Sequence, residues 1–253
     1  MSWSDVAAIV GAGAWAPHIW RLCQRRKVSV IPGGNVELGF TGLGPVVMVT
    51  MAFRTQNRDA LVDGVRLTMR HDDGQCADFE CKMLIETPGE TFSTVGDASG
   101  HQLHQRRQFV VAIVLTPTAV AERRAWCQKA GLQARIDSVT EDYLKLVRAS
   151  HPADSAAIAA VVASTQGQAI RELADREFFW NAGEYTVDVA ASVAELRRPV
   201  RARFKFAIDQ TVQSILRGNL AGIDWELRRL AGEPDFQGKN YNWQWPATPV
   251  KRI

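Results

Sequence analysis

The sequence predicts an α+β protein: an antiparallel immunoglobulin-like β-sandwich with an inserted helical region, an N-terminal hydrophobic helix and a C-terminal helix. Three observations predict it. Apolar and polar residues alternate in runs between residues 28 and 117, helical spacing takes over from 118 to 179, and two strong alternating runs return between 180 and 210. Half-buried strands joined by short hairpins are what a sandwich requires, because each sheet hides one apolar face against the other.

The first element is the apolar stretch from Val6 to Cys23 within residues 1–27. As a helix it would separate Trp3 from Trp20 by about 26 Å, near the thickness of a membrane core. Trp3 and Trp20 stand where interfacial anchors would, and Arg21, Arg25, Arg26 and Lys27 come after them. A cleaved signal would place its positive charge ahead of the apolar core, whereas here Asp5 precedes it. The basic cluster would leave the body of the protein in the cytoplasm, anchored to the inner membrane. Pro17, His18 and the small residues weaken this anchor. Gly11-Ala12-Gly13-Ala14-Trp15-Ala16 also matches the G-x-G-x-x-G/A turn of dinucleotide folds. The next strand would be "VSVIP", which ends in Pro32-Gly33-Gly34 with no carboxylate for a ribose, so no nucleotide cofactor is expected.

The sandwich is expected over 28–117 and 180–210. Val36, Leu38 and Phe40 alternate with polar neighbours, as do Val47, Val49, Met51 and Phe53. Val65, Leu67 and Met69 alternate with Arg66, Thr68 and Arg70, and Ala77, Phe79, Cys81 and Met83 with Cys76, Asp78, Glu80 and Lys82, with Asp73-Gly74 supplying the hairpin turn between the two runs. "FVVAIVL", Phe109 to Leu115, predicts a strand buried on both faces. Residues 118–179 read as inserted helices, interrupted near Gly131 and again before Pro152. In the returning strands Tyr185, Val187 and Val189 point inward, as do Phe204, Phe206 and Ile208. Over 211–253 a helix from Thr211 to Ala231 carries an apolar stripe and leads into a tail without a core pattern.

Gly39-Phe40-Thr41-Gly42-Leu43-Gly44-Pro45, then "RTQNRDALV", and later Phe179-Trp180-Asn181-Ala182-Gly183-Glu184-Tyr185 resemble a loose group of uncharacterised bacterial proteins. That resemblance implies a short hydrophobic N-terminal helix, a β-sandwich-like body and helices inserted before the tryptophan-containing strand. It carries no catalytic signature.

The chain of 253 residues is 46% hydrophobic and 23% charged, enough for a substantial core. Its net charge of +3 is too small to imply nucleic acid by itself. Its cysteines, Cys23, Cys76, Cys81 and Cys127, lack the spacing of a metal site or the density of a disulfide scaffold, so reduced thiols are expected. Cys76 and Cys81 point to opposite faces of one strand and cannot easily bridge each other.

Chemistry is sparse. His101 and His104 could ligate a metal with His71, Asp72, Asp73 or Cys76 as distant partners, but Arg106 and Arg107 beside them would repel a cation, and no metal is expected. Cys76 near His71 and Asp73 suggests a thiol with a base, yet a hairpin does not make a pocket. Serine-elbow, Walker and zinc-protease motifs are missing. The densest charge is the outward stripe Arg201, Arg203 and Lys205 with Arg197 and Arg198 in the preceding turn, a face for an anionic partner. The expectation is therefore a non-enzymatic, membrane-associated module that binds a protein partner. The alternative is a soluble enzyme or small-ligand-binding protein with a pocket between sandwich and helices.

Overall fold

A computed structural model describes residues 26–86, 106–109, 112–152 and 154–253. The N-terminal segment with Trp3, Trp20, Arg21 and Arg25, and the pair His101 and His104, lie outside these residues. Of the expected anchor cluster, Lys27 opens a strand rather than ending a helix, and Arg26 Nε is buried without a hydrogen-bond partner among the described residues.

The period-two runs become long strands. β1 (Lys27–Thr41) and β2 (Gly44–Gln56) form a hairpin, as do β3 (Ala60–His71) and β4 (Cys76–Glu86). Val36, Leu38, Phe40, Met51, Phe53, Leu67, Met69 and Phe79 are all fully buried, as the alternation requires. The register of β4 shifts between Cys81 and Met83, leaving Lys82 as an extra residue against its neighbour. Such a bulge reverses the facing of the residues beyond it, so Leu84 is buried where Met83 was expected.

The expected run Phe109–Leu115 divides. β5 (Arg106–Phe109) pairs with β4, whereas β6 (Ile113–Leu115) pairs with β3. Ile113 and Leu115 are buried but Val114 is 67% exposed, so β6 has one apolar face and not two.

A larger correction concerns residues 118–132. They hold β7 (Val120–Lys129), which lies between β2 and β4 in the middle of the sheet. The inserted helices begin later, with α1 (Gln133–Ser150), α2 (Ser155–Val162) and α3 (Thr165–Glu177). Gly131, at φ 70°, makes the turn from strand to helix. Asp154 and Ser164 cap α2 and α3 by accepting from Ala157 N and Gly167 N.

β7 also corrects the cysteine expectation. Cys127 stands directly opposite Cys81 on β4, and the two are joined in a disulfide, while Cys76 is free and exposed. Register, not sequence proximity, brings them together.

β8 (Gly183–Val193) and β9 (Val200–Ile208) complete the long strands. The expected C-terminal helix is two helices, α4 (Gln210–Gly218) and α5 (Ala221–Leu230), broken at Asn219. The break turns Ile215 outward, 38% exposed, while Leu216, Ile223 and Leu227 stay buried. Tyr143 of α1 is fully buried and donates to Leu227 O at 2.9 Å, tying the helices together. Burial pushes its hydroxyl pKa up to about 12.

All the described strands join one sheet, with the long strands in the order β1-β2-β7-β4-β3-β8-β9 and every pairing among them antiparallel. The α+β class is as expected, but the strands are not divided between two immunoglobulin-like sheets. The sheet curls until β9 lies alongside β1. The tail then fills the seam: β10 (Ala247–Pro249) pairs with β1 and β11 (Lys251–Arg252) pairs with β9. Thr248 Oγ1 donates to Ala207 O at 2.8 Å, and Val250 N donates to Gly34 O at 3.1 Å, inside a bulge of β1. The tail without a core pattern is thus the strand that closes a barrel.

Candidate functional site

The described residues form an apolar cleft where helices cover one end of the barrel. Its floor is the tip of the β1–β2 hairpin. Gly44 adopts φ 80°, and a Cβ there would overlap the Leu132 side chain, so glycine lets the start of α1 settle over the turn. Along α1, Gln133, Ile136, Asp137 and Thr140 recur at helical spacing and line one wall. Ile170, Leu173, Ala174 and Glu177 of α3 line a second, and Ile223, Leu227 and Leu230 of α5 a third.

Aromatic residues complete it. Trp126 of β7 and Trp245 of the tail meet edge to face at 6.4 Å, and Trp243 stands beside them. Two glycines seat these tail rings. A Cβ on Gly39 would overlap the Trp245 ring, and one on Gly222 would press on Trp243 and Tyr241. Asn219 holds the segment between, accepting from Gln244 N and donating to Gln244 O, each at 2.9 Å. Beneath the floor, buried Trp180 donates Nε1–H to Gly39 O at 2.7 Å. The cavity measures about 520 Å³.

Polar groups stand at its edges. Glu177, with an 8% exposed side chain, accepts from Lys129 Nζ and from Arg135 Nη1, each at 2.8 Å. Burial opposes its ionisation, but those hydrogen bonds and charges outweigh it, and its pKa lies below the usual value. Glu226 pairs with Arg229 at 2.7 Å. A chain of amides runs along the rim: Gln128 donates to Leu43 O and to Gln133 Oε1, and Gln133 donates to Asp137 Oδ1 at 2.7 Å. Asp137 has no cationic partner among the described residues.

The outward stripe is arranged differently. Arg201, Arg203 and Lys205 do point outward, but Arg203 Nε bonds Asp188 Oδ1 and Lys205 Nζ bonds Glu184 Oε1, both at 2.5 Å. Arg70 of β3 reaches Asp188 Oδ2 at 2.9 Å. These bonds, chiefly that from Arg203, hold the Asp188 carboxyl below its usual pKa. Arg197, Arg198 and Arg201 make no ion pair among the described residues. The expected five-cation face is therefore three arginines without an ion pair among the described residues beside a network in which Arg203 and Lys205 are paired.

His71 and Cys76 do not meet as nucleophile and base. His71 is buried at the β3–β4 turn, with Nδ1 2.9 Å from Asp73 Oδ1 and Nε2 3.2 Å from both Asp72 Oδ1 and Ala182 O. Its ring packs 4.6 Å from Tyr185. Tyr185 in turn pins the approach to β8, donating to Phe179 O and Asn181 O and accepting from Asn181 N. Gly183, at φ 144°, leaves room for the imidazole and for Asp72. The cluster is a clamp between two hairpins. Among the described residues, no group of three or more histidine, cysteine or carboxylate side chains could hold a metal, and no helix is long and apolar enough to cross a membrane.

Comparison with protein-family models, curated sequences and solved structures finds no match to this chain.

The cavity was missed as a residue set because it draws on the hairpin tip, β7, three helices and the tail, spread from Phe40 to Trp245. The available signal was Trp243 and Trp245 in a polar tail, since tryptophans left in water are a liability.

Proposed function

We propose that the protein is a ligand-binding module that holds a small, mostly apolar molecule between the barrel end and the inserted helices. The observation that carries this is the cavity itself: about 520 Å³, walled by aliphatic and tryptophan side chains with a few polar groups at its edge. Small-molecule sites span roughly 300–1,000 Å³ with this kind of lining. Bound apolar probes should raise the melting temperature and quench tryptophan fluorescence, because ligand that binds only the folded state stabilises it. Thr140→Trp, which fills the cavity from its rim, should abolish both effects while the protein stays folded. Equal probe effects on the parent and Thr140→Trp proteins would sink the proposal.

Arg197, Arg198 and Arg201 favour a second reading, an acidic partner met by the β8–β9 end of the barrel. The apolar segment 5–23 would then hold the protein at a membrane, with the body on the cytoplasmic side. Binding to anionic vesicles that survives both removal of residues 1–27 and replacement of the three arginines by alanine would exclude it.

A further inference from the structure

We propose that the ligand of the tryptophan-lined cavity is an organic cation, an ammonium or amidinium group on an apolar body. This rests on the ligand-binding reading above and names the charge of the bound molecule.

Two independent features of the cavity point to positive charge. The first is one carboxylate of its lining, Asp137, that no cation pairs with among the described residues. Of the other two carboxylates in the lining, Glu226 is matched by Arg229, and Glu177 by Lys129, Arg135 and Arg176, which reach it from outside the lining. Asp137 is left. Its Oδ1 accepts only from the neutral Gln133 amide, which is itself held in line by the buried Gln128. A negative charge therefore stands on the rim, oriented by amides and unneutralised among the described residues.

The second feature is aromatic. Trp126, Trp243 and Trp245 are each half-buried on the cavity wall, and the edge-to-face contact of Trp126 with Trp245 sets their planes 83° apart. A tryptophan wall attracts a cation through the ring quadrupole. Tryptophan is the strongest aromatic partner for this purpose. An anion would meet neither feature favourably, and a neutral apolar molecule would leave the Asp137 charge without use.

The test uses three probes of equal apolar length, octyltrimethylammonium, octanol and octanoate, titrated below micelle formation with tryptophan fluorescence and calorimetry as readouts. The cation should bind about tenfold more tightly than either of the others. Asp137→Asn, a near-isosteric change at an exposed helical position, should weaken the cation about threefold and leave octanol unchanged. Trp245→Phe should weaken the cation more than octanol. Equal or stronger binding of octanol or octanoate would overturn the charge assignment while leaving the ligand-binding reading intact. No binding of any probe, with the protein folded by circular dichroism, would overturn both.

Discussion

Glu177 and Asp188 are the same device in two settings. Each carboxylate is shared by cations from two other elements: Lys129 and Arg135 for Glu177, with Arg176 of its own helix at 3.7 Å, and Arg70 and Arg203 for Asp188. Each is held below its usual pKa. They differ in water. The Glu177 side chain is 8% exposed at the joint of barrel, helix and cavity, whereas that of Asp188 is 28% exposed on the open face of the sheet, between arginines more than half exposed. Water and salt weaken a pair in proportion to its exposure, so one geometry should contribute two different energies. An ion pair's place in the fold, more than its length, decides its weight.

The largest test is Glu177→Ala. Removing one partner of a fully buried pair costs about 3–5 kcal/mol. Lys129 and Arg135 keep partial access to water, with side chains 24% and 48% exposed, which lowers the expectation to about 2 kcal/mol. Urea unfolding should show it as a lower midpoint, with a fall of roughly 5 °C in melting temperature. A loss no greater than that of Asp188→Ala would break the comparison.

Acid should remove the same contribution without mutation. The folded pKa of Glu177 is depressed, so the unfolded chain takes up its proton first as pH falls. Its stabilisation is complete above the ordinary glutamate value, about pH 4.3, and is lost as pH falls through the lowered folded value. Stability of the parent protein should therefore fall more steeply below that pH than stability of Glu177→Gln. Parallel curves would show that the carboxylate is not ionised against its cations.

Asp188→Ala should cost no more than about 1 kcal/mol, the range of exposed pairs. Smallest is the response to salt. At about 1 M salt, where charges are screened beyond roughly 3 Å, the cost of Asp188→Ala should shrink towards zero while that of Glu177→Ala persists. Urea midpoints at two salt concentrations measure both.

The sheet was legible where burial is one-sided. In β1 to β4 alternate side chains meet core and water, so Val36, Leu38, Phe40 or Leu67, Met69 announce their face, and Asp73-Gly74 announces the turn. β7 was hidden because its end is covered on both sides. Ala125, Cys127 and Gln128 are buried and Trp126 packs against Trp245, which erases the alternation and leaves apolar spacing that reads as a helix. β10 was hidden for another reason: Ala247, Thr248 and Pro249 join the sheet through backbone bonds, which no side-chain pattern records. Of the site, Trp243 and Trp245 were visible as residues that need cover, but their seats required Gly39 and Gly222, whose fit appears only in three dimensions.

The closing strand also joins distant parts of the chain. Asn35 pairs with Pro249, and Phe204 with Arg252, so the seam between β1 and β9 is joined by a segment that follows every intervening hairpin and helix in the chain. Pairings this distant in sequence make folding slow, because the loop they close is long and its entropy is lost before the contact is gained. Until that strand docks, β1 and β9 expose unpaired edges, and an exposed edge is a template for another chain. The six residues from Ala247 to Arg252 therefore cover two such edges at once.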